Sequence, residues 1–108
     1  MPYYLVQVSF TKESVKALVD NPENRLEAVR PALEELGVTI LEDFLAFGDY
    51  DEVLILEAPD NVRAAAVALA VTAGGGVSDY KTTPLFTYEE GVEAMRAAGG
   101  SSYRPPGG

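Results

Sequence analysis

The strongest structural signal in the chain lies in residues 48–57, which read GDYDEVLILE. The first four residues are typical of a tight turn, and the apolar run from Val53 to Leu56 predicts a strand that is covered by protein on both faces. Residues 38–47, before the turn, also have strand character. Because two adjacent strands joined by a tight turn pair most simply as an antiparallel hairpin, we expect a hairpin whose second strand lies inside a sheet.

Residues 3–10 predict a further strand. From Tyr4 to Phe10 every second residue is apolar, whereas Gln7 and Ser9 share the opposite face. This alternation is typical of a strand that packs one face against helices and turns the other toward more polar surroundings. The polar face is therefore a place where a ligand site is expected.

The segment between this strand and the hairpin predicts two helical pieces. Thr11 is a favourable start for a short helix, and the Asn-Pro-Glu sequence of residues 21–23 predicts the start of a second one. Pro31 should bend the second helix, and Gly37 should end it.

The segment after the hairpin predicts a third helix, a fourth strand and a last helix. The third helix should end at the three glycines of residues 74–76, and residues 77–86 have strand character. Thr87 and Glu90 have the spacing of a capping box, which predicts a last helix that extends to about Ala98.

This order of elements predicts an α+β fold, a ferredoxin-like βαββαβ sandwich over residues 1–98 with an extra C-terminal helix, followed by a Gly- and Pro-rich tail over residues 99–108. The four-stranded antiparallel sheet would carry helices on one face only. The other face would expose Tyr3, Leu5 and alternate residues of the hairpin, which is a large apolar area to leave in water. We therefore expect a homodimer in which two sheets face each other and form a dimeric α/β barrel.

The amino-acid composition limits the partners that the protein can bind and the reactions that it can catalyse. Eight Lys and Arg against seventeen Asp and Glu give a net charge of −9, so the protein is acidic and nucleic acids are not expected partners. The chain has no Cys and no His, which removes thiolate and imidazole chemistry and the usual ligands of zinc, iron and haem. We expect no cofactor and no metal.

A membrane partner is not expected either. The longest apolar stretch, residues 64–71, is far shorter than the about twenty residues that a membrane span requires. The N-terminal residues predict a strand rather than an export signal, so we expect a cytoplasmic protein.

The turn at residues 48–51 has the pattern Gly-x-Tyr-Asp, and with it the chain resembles the GYD domain family, which is named for those letters. Further segments look like the same family: residues 4–6 (Tyr-Leu-Val), 57–60 (Glu-Ala-Pro-Asp), 81–83 (Lys-Thr-Thr), 86–90 (Phe-Thr-x-Glu-Glu) and 103–107 (Tyr-Arg-Pro-Pro-Gly). The resemblance covers nearly the whole chain. It implies a ferredoxin-like domain of the dimeric α/β-barrel kind, and it implies a fold rather than a particular activity.

The turn supplies two candidate site residues. Tyr50 offers a hydroxyl donor, and Asp51 offers a base or a hydrogen-bond anchor. The alternative is that the turn is structural and that its carboxylate caps backbone amides, which we favour for this sequence.

Three further candidates lie elsewhere in the chain. Lys81 would bind a carboxylate or act as a nucleophile if it points into the barrel, and otherwise it forms a surface pair with Asp79 that protects an edge strand. Gln7 lies in a strand that this topology places centrally, where a buried amide needs partners. Arg104 would recognise an anion at a pocket mouth, or it would belong to a disordered end or dock on a neighbouring subunit.

Three functional hypotheses remain open at this point. The first is a homodimer, or a higher homo-oligomer, that binds a small organic ligand, either between the helices and the sheet or inside the barrel. The second is a cofactor-independent isomerase, cyclase or monooxygenase that uses Tyr50, Asp51 or Lys81. The third is a purely structural or interaction module.

Overall fold

A computed structural model describes residues 1–107, and within this range the chain forms four strands and four helices. The strands are β1 (Tyr3–Phe10), β2 (Thr39–Leu45), β3 (Glu52–Glu57) and β4 (Val77–Leu85). The helices are α1 (Lys12–Asp20), α2 (Arg25–Glu35), α3 (Asn61–Ala73) and α4 (Tyr88–Gly99). Gly108, the last residue of the predicted tail, lies outside the described residues.

The four strands form one antiparallel sheet in the order β2-β3-β1-β4. The predicted hairpin is confirmed as β2 and β3, and the apolar β3 lies inside the sheet between β2 and β1. The α+β, ferredoxin-like prediction is therefore correct for the single chain.

The start of the second helix was wrong in the sequence prediction. Residues 21–23 do not open α2, because the backbone N–H of Asn21 still donates to the carbonyl of Ala17 at 2.9 Å and closes α1. Helix α2 begins after Asn24, whose side chain accepts from the backbone N–H of Glu27 at 3.2 Å. Asn24 satisfies an N–H that the first helical turn leaves free, so the start lies further along the chain than predicted. Pro31 lies inside α2.

The predicted capping box of α4 is confirmed. The Thr87 hydroxyl accepts from the backbone N–H of Glu90 at 3.1 Å, and the Glu90 carboxylate accepts from the backbone N–H of Thr87 at 2.9 Å. Both bonds satisfy backbone donors at the start of the helix.

We call the covered side of the sheet its helix face. Strands β1 and β3 supply this face with every second residue, and the helices close it from above. The buried apolar residues are Tyr4, Val6, Val8, Leu33, Val38, Leu54, Leu56, Ala58, Ala64 and Val67. They form one contiguous core.

We call the opposite side the open face, and it carries the alternate residues of the same strands. Along β1 these are Tyr3, Leu5 and Gln7, which stay partly exposed, and Val53 and Ile55 on β3 do the same. The open face therefore remains accessible to a partner.

Helix α4 and the residues next to it also expose apolar side chains. Phe86 is 68% exposed, Tyr88 95% and Met95 71%. The molecule is elongated, with extents of 59 × 32 × 22 Å. Within residues 1–107, no helix has both the length and the apolar character that a membrane crossing needs.

Candidate ligand-binding cavity

A cavity of about 410 Å³ lies between the helix face of the sheet and helices α1, α2 and α3. Its walls are mostly apolar, with side chains from the sheet on one side, such as Val8 and Leu54, and from the helices on the other, such as Leu26, Val29 and Val71. This volume lies within the range of about 300–1,000 Å³ that is typical of small-molecule sites.

Small residues make up part of the cavity wall and leave space there. Ala17, Ala32 and Ala70 line it from three different helices, and Gly74 and Gly76 line it near the start of β4. Helix α1 contains no buried residue, and α2 buries only Leu33. The helices therefore cover the sheet without filling the space above it.

Two polar side chains enter this apolar space from the sheet. Glu52 on β3 and Tyr80 on β4 are both register partners of Val8 on β1, so they lie in one row across the helix face with β1 between them. Adjacent strands are about 4.8 Å apart, which places the two side chains roughly 10 Å from each other at the backbone. A ligand in the cavity can contact both.

The surroundings shift the protonation of both groups. Burial raises the pKa of the Glu52 carboxyl above its ordinary value, the neighbouring Asp43 carboxylate raises it further, and the Arg25 guanidinium acts in the opposite direction. Burial also raises the pKa of Tyr80 to about 12, and the charge of Glu52 adds to the shift against the effect of the Thr82 side chain. Tyr80 is therefore a neutral hydroxyl at physiological pH.

A second depression, of about 660 Å³, adjoins the cavity and shares Glu23, Arg25 and Glu52 with it. It adds Asp43 from β2. The guanidinium of Arg25 lies 3.9 Å from the carboxylate of Glu23, and that of Arg30 lies 3.6 Å from the carboxylate of Asp43. Both arginines thus face a carboxylate already.

The turn of residues 48–51 lies at the end of the β1–β3 pair, where Asp51 makes three hydrogen bonds. Its backbone N–H donates to the carbonyl of Val8 at 2.8 Å, and its carbonyl accepts from the N–H of Ala46 at 2.8 Å. Its carboxylate accepts from the backbone N–H of Phe10 at 2.8 Å, beside the register shift between Ser9 and Phe10. This geometry is that of a carboxylate which caps backbone amides.

The model of the GYD domain family matches residues 4–95 of the chain. This chain belongs to the GYD domain family. The match covers most of α4 and all of the sheet except Tyr3, in agreement with the resemblance at residues 48–51.

A protein of Thermus thermophilus is similar to this chain in sequence. This chain is 33% identical to a Thermus thermophilus protein named glutamine synthetase and cystathionine beta-lyase binding protein. The alignment spans 78 residues, which are 71% of this chain and 81% of the relative.

Two solved structures resemble the fold. The crystal structure of TTHA0845 from Thermus thermophilus superposes with a TM-score of 0.53 at 20% identity, over 81% of this chain and 95% of that one. The crystal structure of FFRP-DM1 gives a TM-score of 0.49 at 12% identity, over 80% of this chain and 100% of that one. At 20% identity the likeness to TTHA0845 concerns the fold alone.

In this GYD domain the open face brings together three of the five residues that the sequence analysis selected. Gln7 lies opposite Lys81 in the β1–β4 register, and the Lys81 ammonium lies 5.9 Å from the centroid of the Tyr50 ring. Asp51 is next to Tyr50 but directs its carboxylate to the Phe10 amide. Arg104 is exposed in the segment after α4, and among residues 1–107 no hydrogen bond or ion pair joins it to the other four.

Three polar residues that line the cavity were not among the residues predicted from the sequence: Glu52, Tyr80 and Arg25. The sequence shows only that Glu52 shares a face with Leu54 and Leu56. Because residues 53–56 are apolar on both faces, it does not show which of the two faces the helices cover. Tyr80 shares its face of β4 with the polar Thr82, so the sequence does not show that this face points toward the core. Arg25 lies at the first position of α2, a start that was predicted elsewhere.

Proposed function

We propose that this GYD domain is a binding domain that holds a small, largely apolar organic molecule in the cavity between its helix face and helices α1 to α3. The observation that carries this proposal is the cavity itself, with its apolar walls and the two polar side chains Glu52 and Tyr80. Such a combination of apolar walls with a few convergent polar groups is what small-molecule sites require.

We also propose that the domain forms a homodimer in which the open faces of two sheets pack against each other. The apolar residues of the open face support this arrangement. Leu5, Val53 and Ile55 lie next to one another across β1 and β3, and Phe44 on β2 is 66% exposed beside Val53. A contiguous apolar patch of this kind is typical of an association surface. Facing sheets would form the barrel that the family resemblance implies.

The binding site is tested with N-phenyl-1-naphthylamine, a neutral apolar dye whose fluorescence rises when it leaves water. We expect the wild-type domain to enhance the dye fluorescence in a saturable manner. The substitution Ala32→Trp places a large ring in the cavity and should abolish this enhancement. Ala28→Trp is the matched control, since Ala28 lies one turn earlier on α2, is exposed and does not line the cavity. Equal loss in both variants, or no saturable binding to the wild type, would refute the cavity as the site.

Self-association is tested by sedimentation velocity. Ile55→Lys places a charge at the centre of the open face, whereas Val62→Lys places the same charge on α3 at a residue that is 73% exposed. We expect the wild type and Val62→Lys to sediment as dimers and Ile55→Lys as a folded monomer. A wild-type monomer, or a dimer that persists in Ile55→Lys, would contradict the facing-sheet arrangement.

A second candidate function is that of an interaction module for metabolic enzymes. Two observations favour it: the name of the Thermus thermophilus relative and the apolar side chains that α4 exposes. Biolayer interferometry with purified glutamine synthetase and cystathionine β-lyase from the organism of this chain tests it. Met95→Ser on α4 should weaken binding, and Leu69→Ser on α3 should not, although both residues are 71% exposed. Equal affinity of the wild type, Met95→Ser and Leu69→Ser for these enzymes would exclude α4 as the contact. No binding of either enzyme by the wild type would exclude the function.

A further inference from the structure

The charges around the cavity restrict the ligand that it can accept. Glu23, Asp43 and Glu52 line the cavity or the adjoining depression, and within residues 1–107 Arg25 is the only cationic residue that lines either. With these four groups and Arg30, which faces Asp43 at 3.6 Å, all ionised, the local charge is −1, from three carboxylates and two guanidiniums. The whole chain has a net charge of −9, so its long-range field has the same sign.

The cations near the site are compensated, whereas Glu52 is not. Arg25 faces Glu23 at 3.9 Å, and Arg30 faces Asp43 at 3.6 Å. In the part of the chain that the structure describes, the Glu52 carboxylate is not part of any ion pair within 4.0 Å. An anionic ligand head would have to displace a carboxylate from an arginine, while a cationic head would meet Glu52 directly.

The position of Glu52 matches such a head group. Its side chain lines both the apolar cavity and the adjoining depression, so it lies where the two meet. An apolar body can therefore lie against Leu26, Leu54 and Val71 while its head reaches Glu52. The neutral hydroxyl of Tyr80, in the same row of the sheet, is available as a hydrogen-bond partner for a donor on the ligand.

From these contacts we infer that the ligand is a small apolar molecule, aromatic or aliphatic, that carries a protonated amino group, and that the Glu52 carboxylate recognises this group. The inference rests on the proposed function, because it names the ligand class of the same cavity. A charge-assisted hydrogen bond between an ammonium and a carboxylate is about twice as strong as a neutral one. Burial raises the pKa of the Glu52 carboxyl, and a cation beside it acts in the opposite direction, as Arg25 does.

The test uses three ligands with the same naphthalene body and different heads: 1-naphthylmethylamine, 1-naphthalenemethanol and 1-naphthoic acid. Each is used to displace bound N-phenyl-1-naphthylamine near neutral pH, where the first is a cation, the second neutral and the third an anion. We expect the amine to bind roughly tenfold more tightly than the alcohol and the acid to bind most weakly.

Two variants assign the preference to one carboxylate. Glu52→Gln keeps the shape of the side chain and should remove the advantage of the amine over the alcohol. Glu57→Gln is the matched control at the other end of β3, where the side chain lies on the open face, and it should retain the advantage. Circular dichroism and binding of the neutral dye show that each variant is folded with its cavity intact.

The outcomes distinguish a wrong ligand class from a cavity that does not bind ligands at all. Equal displacement by the amine and the alcohol, tighter binding of the acid, or an amine preference that survives in Glu52→Gln would each overturn the inference while the cavity remains a binding site. If the dye itself does not bind to the wild type, the proposed function fails first and the inference fails with it.

Discussion

The two faces of the sheet use neighbouring residues of the same strands in opposite ways. Tyr4 and Val6 on the helix face are at most 2% exposed, whereas Leu5 between them stays partly exposed on the open face. The alternation of a strand thus divides one segment into a folding surface and a surface for association. The helix face is the more completely covered of the two, yet it also contains the cavity, which lies between the sheet and helices α1, α2 and α3.

The largest expected effect is a loss of stability on the helix face. Leu56→Ala removes a side chain that is 1% exposed and should lower the free energy of unfolding by about 2–5 kcal/mol. Ile55→Ala, at the adjacent residue on the open face, should cost clearly less at a protein concentration where the chain is monomeric. Urea denaturation of both variants measures the difference, and equal losses would contradict the contrast between the two faces.

The second prediction concerns the turn of residues 48–51 between β2 and β3. Asp51→Ala leaves the Phe10 amide without its acceptor and should cost about 1–3 kcal/mol of unfolding free energy. Asp49→Ala, in the same turn, should be nearly neutral, because only the backbone carbonyl of Asp49 is used, as a weak acceptor at 3.4 Å. Urea denaturation gives both values. If Asp51→Ala is as stable as the wild type, the bond between the Asp51 carboxylate and the Phe10 amide does not stabilise the turn.

The third prediction is a difference in pH dependence between two glutamates of β3. The folded state raises the pKa of the Glu52 carboxyl above 4.5, so the folded chain binds more protons than the unfolded chain above that pH. This contribution of Glu52 therefore lowers stability as the pH rises from 4.5 through the folded pKa. Glu52→Gln should remove that decline and gain stability relative to the wild type near neutral pH, with Asp43, Arg25 and Tyr80 unchanged around it.

Glu57→Gln on the open face is the control for this effect. Thermal unfolding of both variants between acidic and neutral pH provides the comparison. If stability still falls with rising pH in Glu52→Gln, a group other than Glu52 causes the fall. If the fall disappears in Glu57→Gln instead, its cause lies on the open face.

The smallest expected effect is on the open face. Lys81→Ala removes a cation that lies 5.9 Å from the centre of the Tyr50 ring, and such an exposed contact stabilises by about 0.5 kcal/mol. Lys81→Arg should retain most of it, since a guanidinium interacts with an aromatic ring as well. Chemical denaturation of the two variants gives the difference. A loss of several kcal/mol in Lys81→Ala would show that Lys81 is buried by a partner and that the open face is closed in solution.

Most of the fold followed from local patterns. The two-sided apolar run of residues 53–56 predicted an inner strand, and Thr87 with Glu90 predicted the start of α4, because each signal depends only on residues near in sequence. The start of α2 was misplaced since Pro22 is equally compatible with a linker, and the competing bond from Asn21 to Ala17 is visible only in three dimensions.

The candidate site was harder to predict than the fold. The sequence drew attention to polar residues in conspicuous places, and the structure gathers Gln7, Tyr50 and Lys81 on the open face. The cavity lies on the other face, and its volume results from how far three helices stand from the sheet. No local pattern encodes that distance, so Glu52 was treated as the start of a strand and its role as a polar group in the cavity was not considered.

Methyl NMR of the domain during titration with N-phenyl-1-naphthylamine tests most directly the claim that the helix side of the sheet holds the ligand. The account predicts that the signals of Leu26, Leu54 and Val71 shift in a saturable manner while those of Leu5 and Ile55 remain in place. Shifts confined to Leu5 and Ile55 would place the ligand on the open face and would contradict the account.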